Sequence, residues 1–273
     1  MVYASVATGF KGGGTNPRPF NAFQAVGFGP EELTSYELGF KSDFFDRRVR
    51  LNVTGFISDY TDIQLGVTEC PLLPGAPPSA ATPCAGRING GNARFKGIEA
   101  EMFAEPVDDF TIDASLSVID QKFTKLLPTA EFNADPNAGP LNLGGIERTD
   151  PPGGGTPRFK ANVGFQYRAD LGSAGSITPR IDVEHTGKIY TGATRLNDPT
   201  VRDLQFLPSE TLLNARITWM NEDEDLSIAL EGRNLTDEYY YYTQFDLRTA
   251  GAGSNKAAVA RPREIALTVR KNF

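Results

Sequence analysis

Aromatic and cationic side chains are concentrated in two stretches of the second half of the sequence. The stretch IYTGATRLND contains Tyr190 and Arg195. A run of four tyrosines, which includes Tyr241, is followed by Gln244 and Arg248. Aromatic rings offer stacking surface, and a guanidinium group donates several hydrogen bonds in a fixed geometry. These side chains therefore predict a binding site for an anionic ligand. The alternative is that they are solvated loop residues or anchors at a membrane interface.

No group of residues in the sequence indicates catalysis. The single histidine, His185, has no second histidine with which to share a metal ion, so we expect a structural role for it. The glycine-rich stretch GFKGGGTN lacks the order of a phosphate-binding loop, because its lysine precedes the glycines. No acid/base pair stands out either. We therefore expect that the protein is not an enzyme and binds no cofactor or metal.

The two cysteines flank a segment rich in proline, alanine and serine. A disulfide between Cys70 and Cys84 would close a loop of about 15 residues and contribute about 3 kcal/mol by restricting the unfolded chain. Such a bond requires an oxidising compartment. The alternative is a pair of unpaired thiols in a mobile loop.

Most of the sequence alternates between apolar and polar residues, which is the period of β-strands with one apolar and one polar face. In DFTIDASLSVID, for example, Ile112 and Leu116 share one face and Asp113 and Ser117 share the other. The pattern predicts ten strands, at residues 2–8, 33–43, 48–64, 93–104, 109–122, 158–168, 176–190, 211–220, 226–234 and 260–273. Aromatic residues are expected near the short-turn ends of these strands, namely Tyr36, Phe40, Phe44, Phe45, Phe103, Phe110, Tyr167 and Trp219.

The connections between the predicted strands are alternately long and short. In an up-and-down antiparallel sheet, this order puts every long loop at one end and every short turn at the other, as in outer-membrane barrels. No run approaches the roughly 20 apolar residues of a membrane helix, so strands would have to cross the bilayer. The alternative, a soluble β-sandwich, gives no reason for such sorting of loops. The net charge of −7 and the lack of a cationic cluster argue against nucleic acid as a partner.

Five motifs, in order along the chain, resemble the barrel of TonB-dependent outer-membrane receptors. They are EELTSYELGFKSDFFDRRVRLNVTGFISDYTDIQL, RFKGIEAEMFAEP, TPRFKANVGFQY, GRNLTDEYYYY and RPREIALTVRKNF. The resemblance implies a 22-stranded barrel that encloses an N-terminal plug and imports scarce ligands with energy relayed by TonB. No export signal, plug or TonB-contacting segment is recognised after Met1. We therefore expect residues 1–273 to be the C-terminal part of such a receptor, with long extracellular loops and short periplasmic turns.

The resemblance also suggests partners. The ligand would be a ferric siderophore or a similar large nutrient, held near Tyr190, Arg195, Tyr241, Gln244 and Arg248, and TonB would act through the missing plug. Phe273 resembles the C-terminal aromatic signal read by the outer-membrane assembly machinery, and lipid would surround the barrel. The alternative function is a passive outer-membrane channel or structural barrel without energy coupling.

Overall fold

The computed structural model describes residues 1–16, 27–67, 86–126, 154–191, 206–246 and 254–272. Its strands, in chain order, are β1 (Val2–Lys11), β2 (Gly14–Thr15), β3 (Gly27–Phe28), β4 (Glu31–Phe44), β5 (Val49–Thr61), β6 (Gln64–Val67), β7 (Gly86–Asn89), β8 (Gly91–Val107), β9 (Phe110–Leu126), β10 (Phe159–Tyr167), β11 (Ala169–Asp170), β12 (Ser176–Thr186), β13 (Ile189–Tyr190), β14 (Phe206–Leu207), β15 (Glu210–Met220), β16 (Leu226–Arg233), β17 (Tyr241–Asp246), β18 (Asn255–Val259) and β19 (Glu264–Lys271). A 3-10 turn spans Gly172–Ala174. Within the described ranges, no helix is long and apolar enough to cross a membrane.

Ten long strands form one antiparallel sheet, in the order β1-β4-β5-β8-β9-β10-β12-β15-β16-β19, and the short β11 pairs with the start of β12. The predicted ten-strand meander is thereby confirmed. The sheet is open, with β1 and β19 at its edges.

Three predicted strands extend three or more residues past an observed strand boundary. The strand predicted at 48–64 divides into β5 and β6, because Asp62 adopts a φ of 54° that interrupts extended structure. The strand predicted at 176–190 ends at Thr186, and Ile189–Tyr190 form the separate short strand β13, which pairs with β14. The last strand begins at Glu264 rather than at residue 260, since Pro262 has no N–H to donate to the ladder.

The two ends of the sheet are built differently. At one end, which we call the turn end, consecutive strands are joined by the short connections 45–48, 108–109, 168–175 and 221–225. At the other, the hairpin end, the long connections contain two-stranded hairpins: β2–β3, β6–β7, β13–β14 and β17–β18. The prediction that long and short connections lie at opposite ends of the sheet is therefore confirmed. The two-stranded hairpins within the long connections were not predicted.

The two faces of the sheet differ in chemistry. Cross-strand register aligns Leu38, Gly55, Ile98, Val118 and Phe159 in one row. This apolar face carries large side chains that no other part of the described chain covers; Leu38 is 64% exposed and Ile98 is 55% exposed. The opposite, polar face carries the residues that alternate with these along each strand, such as Glu37 and Asp113.

The apolar face is tall enough to cross the hydrocarbon of a membrane. On β9 it comprises five successive outward positions from Phe110 to Val118. Positions on one face of a strand lie about 6.8 Å apart, so five rows cover about 27 Å along the strand, close to the ~25 Å of a lipid-facing band. One of the expected aromatic positions was wrong: Tyr36 lies in register with Ile57 towards the hairpin end. Phe103 lies near the turn end as expected, but on the polar face, opposite Asp113.

A small hydrophobic cluster lies at the hairpin end. Ile63, Leu65, Ala93 and Phe123 are buried there against Tyr60, Ile88 and Phe95. The amide of Gln64 donates to the carbonyls of Gly12 (2.9 Å) and Gly29 (3.1 Å). The β6–β7 hairpin is thus anchored both by apolar packing and by hydrogen bonds to the neighbouring connection.

Candidate functional site

An ionic clamp on the polar face links two strands, β9 and β12, across the strand between them. Arg180 of β12 donates from Nη1 to Asp113 Oδ1 (2.8 Å) and from Nη2 to Asp113 Oδ2 (3.1 Å), across the intervening strand β10. Its Nε donates to Asp182 Oδ2 at 3.0 Å. A guanidinium held by two carboxylates has a fixed orientation, because the paired N–H groups match the carboxylate oxygens. The clamp therefore makes this part of the polar face rigid.

Gly164 provides the space for the clamp. It lies in register between Asp113 and Asp182, on the strand that Arg180 crosses. A Cβ at this position would lie 2.7 Å from Asp182 Oδ1 and 2.9 Å from Asp113 Oδ2, closer than such atoms approach. The absent side chain thus leaves room for the clamp in its present geometry.

A second crossing of the same kind lies near the edge of the sheet. Tyr3 on β1 passes over Gly39 on β4, and its hydroxyl lies 2.8 Å from Thr54 Oγ1 on β5. A Cβ on Gly39 would lie 2.7 Å from the Tyr3 ring. Glycine on one strand therefore again allows a side chain to reach the strand beyond it.

A cleft of about 500 Å³ lies beside the clamp on the polar face. Its charged and amide side chains are Arg180, Asp182, Glu184, Asn214, Arg216, Glu231 and Arg233. Arg233 donates to Glu231 at 2.7 Å, and Asn214 donates to Glu184 at 3.3 Å. Arg216 donates to Thr218 Oγ1 at 3.1 Å and makes no ion pair with any carboxylate in the described part of the chain. Arg216 is thus a cation available to an anionic group that enters the cleft.

The structure brings three of the predicted ligand-binding residues into adjoining hairpins. Tyr190 lies on β13, Tyr241 and Gln244 lie on β17, and β14, the partner of β13, contacts β17. Tyr190 is only 5% exposed and packs its ring 5.3 Å from that of Phe206, so the ring supports the hairpin from within. Arg195 and Arg248 lie outside the described residues.

The four tyrosines form two edge-to-face pairs. The rings of Tyr239 and Tyr241 lie 5.4 Å apart, and those of Tyr240 and Tyr242 lie 5.8 Å apart. Burial, followed by the hydrogen bond with Tyr242, raises the pKa of Tyr240 to about 12. Tyr240 therefore stays protonated and neutral at physiological pH.

The amide nitrogen of Gln244 is buried and has no hydrogen-bond partner within the described ranges. Leaving a buried donor unpaired costs free energy, so this group is suited to gain a partner. Of the predicted residues that the structure describes, Gln244 is the one with an unpaired buried donor.

Asn234 is a structural residue that the sequence analysis did not single out. It is 4% exposed, has a φ of 48°, and its side chain receives a bond from the N–H of Glu238 (2.8 Å) and donates to the Glu238 carbonyl (2.9 Å). It fixes the turn from which the tyrosines begin. The signal was present in the sequence GRNLTDEYYYY, since asparagine tolerates positive φ and bonds to nearby backbone.

The comparison with known families agrees with this architecture. Residues 1–235 match the family described as TonB dependent receptor-like, beta-barrel, and this match covers more than half of the chain. The chain belongs to the TonB-dependent receptor β-barrel family. Members of this family are receptors and transporters of the bacterial outer membrane rather than enzymes.

Solved receptor structures share the fold of this TonB-dependent receptor barrel. The ferric yersiniabactin uptake receptor FyuA from Yersinia pestis is 22% identical with a TM-score of 0.71, and the match covers 100% of this chain and 35% of that one. The siderophore receptor PiuA from Acinetobacter baumannii is 19% identical with a TM-score of 0.67, covering 99% and 33%. The pyoverdine receptor FpvA from Pseudomonas aeruginosa PAO1, bound to pyoverdine, is 17% identical with a TM-score of 0.63, covering 100% and 34%.

The chain spans about a third of the length of these solved receptors. The resemblance drawn from the five sequence motifs is thereby confirmed at the level of the family and the fold. The predicted disulfide between Cys70 and Cys84 and the predicted assembly signal Phe273 lie outside the described residues. Within the described ranges, no group of three or more His, Cys, Asp or Glu residues could hold a metal ion.

Proposed function

We propose that this chain forms part of the wall of a TonB-dependent outer-membrane receptor that takes up a ferric siderophore or a similar large nutrient. The observation that carries the proposal is the division of one ten-strand sheet into an apolar and a polar face. In this arrangement the apolar face contacts lipid and the polar face lines the lumen. The hairpin end is extracellular and the turn end periplasmic, as expected from the asymmetry of outer-membrane barrels.

The chain acts as the C-terminal part of the receptor's barrel, and a plug and further strands complete it. The one-third coverage of the solved receptors supports this division. TonB then acts through the plug, and the polar face with Arg216 and its cleft is the surface that the plug and the passing ligand meet.

The ligand contacts lie at the hairpin end. Tyr241 and Gln244 lie there on one strand, supported by the buried Tyr190, and the unpaired amide nitrogen of Gln244 donates a hydrogen bond to a ligand oxygen. Arg195 and Arg248 supply positive charge for an anionic iron complex. FyuA is a ferric yersiniabactin uptake receptor and FpvA is a pyoverdine receptor, and these similar structures support an iron chelate as the ligand class.

Uptake of radioactive iron tests this function. Cells that depend on the receptor are given ferric catecholate or ferric hydroxamate complexes, in strains with and without an active TonB. We expect uptake of one class of complex, and only when TonB is active. Uptake that persists without TonB would support the alternative of a passive channel.

The ligand contact is tested separately with Gln244→Ala. Removing one hydrogen bond worth about 1.4 kcal/mol should weaken ligand binding about tenfold. Thr243→Ala, which removes an exposed side chain of the same strand, is the matched control and should bind normally. Equal binding by the two variants would show that Gln244 is not a ligand contact.

A further inference from the structure

Cationic side chains gather at the upper edge of the apolar face, towards the hairpin end. Arg94 on β8 lies in register between Asp59 and Lys122. Two residues further towards the turn end, Lys96 lies in register between Ile57 and Asp120. Both residues project from the apolar face. Their charged groups therefore lie next to rows of aliphatic side chains on that face.

The ion pairs of this cluster leave positive charge unmatched. Arg94 binds both oxygens of Asp59, at 2.6 and 2.9 Å. Asp120 is shared between Lys96 (3.8 Å) and Arg158 (3.2 Å). Lys122 makes no ion pair with any residue in the described part of the chain. Among the residues that the structure describes, the cluster thus has four cations, Arg94, Lys96, Lys122 and Arg158, and two carboxylates, Asp59 and Asp120. The side chains of Lys96 and Arg158 are more than half exposed to an incoming anion.

An apolar groove of about 870 Å³ begins directly below the cluster. Lys96 and Asp120 form its upper rim, and its walls include Leu38, Ile98 and Leu116. Gly55 forms part of the floor, and a Cβ built on it meets no atom closer than 3.9 Å. The missing side chain therefore leaves a trough between the exposed side chains of Leu38 and Ile98, which flank Gly55 in the same row.

We propose that this surface binds a lipid of the outer leaflet whose headgroup carries more than one phosphate, with an acyl chain in the groove and the phosphates against the cations. Lysine and arginine are the side chains that bind phosphate, and arginine does so with paired donors. The proposal rests on the proposed function in one respect, since it requires the apolar face to lie in the outer membrane.

The spacing of the cations favours a headgroup with several phosphates. The four cations span β8, β9 and the residue before β10, which is about 10 Å across the strands, and about 7 Å along them. A single phosphate is too small to meet cations at both ends of this span. The groove distinguishes a lipid from a soluble polyphosphate, because only the lipid has an acyl chain that can fill it.

Native mass spectrometry of the protein purified from outer membranes tests the proposal. Diphosphorylated lipid A is added in detergent, and the fraction of protein that carries it is counted. The double variant Lys96→Gln/Arg158→Gln should bind about tenfold less or weaker still. The control Arg270→Gln removes one positive charge from the polar face near the turn end and should bind like the wild type. Full binding by the double variant would overturn the proposal.

The groove is tested with Gly55→Leu, which fills the trough without touching the cations. We expect severalfold weaker binding of diphosphorylated lipid A. Dephosphorylated lipid A and phosphatidylglycerol should each compete poorly for the wild-type protein; equal competition by either would overturn the requirement for several phosphates. Recovery of all variants in the outer-membrane fraction separates these outcomes from a failure of the proposed function, which would appear as loss of the wild-type protein from that fraction.

Discussion

The two faces of the sheet are made by the same strands and yet suit different solvents. On β9, Leu116 projects from the apolar face and the next residue, Ser117, projects from the polar face. Leu267 near the edge is 69% exposed, whereas the polar face is crossed by the bonds of Arg180. A large and continuous exposed apolar surface is unfavourable in water. The difference therefore indicates that the two faces meet lipid and water respectively.

The largest effect is expected from a charge placed in the apolar band. Leu116→Arg should cost about 3 kcal/mol of the free energy of unfolding, because arginine within the lipid-facing band loses hydration. Ser117→Arg, one residue away on the polar face, should be nearly neutral, since it lies beside Glu99. Urea unfolding in lipid vesicles measures both. Equal losses would contradict the assignment of the faces.

A second comparison uses the glycines of the two faces. Gly164→Val should destabilise the protein by about 2 kcal/mol, because the added atoms collide with the clamp on the polar face. Gly55→Val on the apolar face should be neutral or stabilising, since its Cβ has open space and valine favours strands. Chemical denaturation of the two variants distinguishes them. A neutral Gly164→Val would show that the clamp adapts without cost.

A smaller effect is expected from the clamp itself. Arg180→Lys keeps the positive charge but loses the paired donors that hold Asp113 and Asp182. Because the pair is partly open to solvent, the loss should be about 1 kcal/mol. Arg270→Lys, at an exposed site of the same face, is the matched control. If both variants unfold at the same denaturant concentration, the clamp contributes nothing to stability.

The smallest effect concerns pH at the turn end. Lys271 has the parity of the apolar face, and its ammonium bonds to Asp225 in the turn 221–225. This bond, with that from Asn221, lowers the pKa of Asp225. A carboxylate with a lowered folded-state pKa stabilises the protein above its unfolded pKa of about 4, and the effect disappears as the pH falls through the folded value. Thermal unfolding between about pH 2 and 6 should show this dependence, and Asp225→Asn should reduce it.

The sheet could be predicted from the sequence because its signal is local. Alternation marks each strand, and connection length marks each end, so the ten strands and their two faces followed directly. The clamp could not be predicted, since Asp113 and Arg180 are far apart in sequence and only the register of β9, β10 and β12 brings them together. Gly164 carried no signal for the same reason: its role depends on a side chain from the next strand.

The small hairpins were missed because their strands are short and lie in segments rich in glycine and proline. Of the predicted ligand residues, Tyr190, Tyr241 and Gln244 lie on adjoining hairpins, but the burial of Tyr190 depends on Phe206, which alternation alone does not indicate. The contribution of these residues to ligand binding stays a prediction.

Labelling of single cysteines tests the central claim most directly. In a protein with Cys70 and Cys84 replaced by serine, Leu116→Cys and Ser117→Cys are compared in intact outer membranes with a water-soluble maleimide. We predict that the cysteine at 117 reacts, because it faces an aqueous lumen, and that the cysteine at 116 is protected by lipid. Equal labelling of both positions would show that water reaches both faces and would contradict this account.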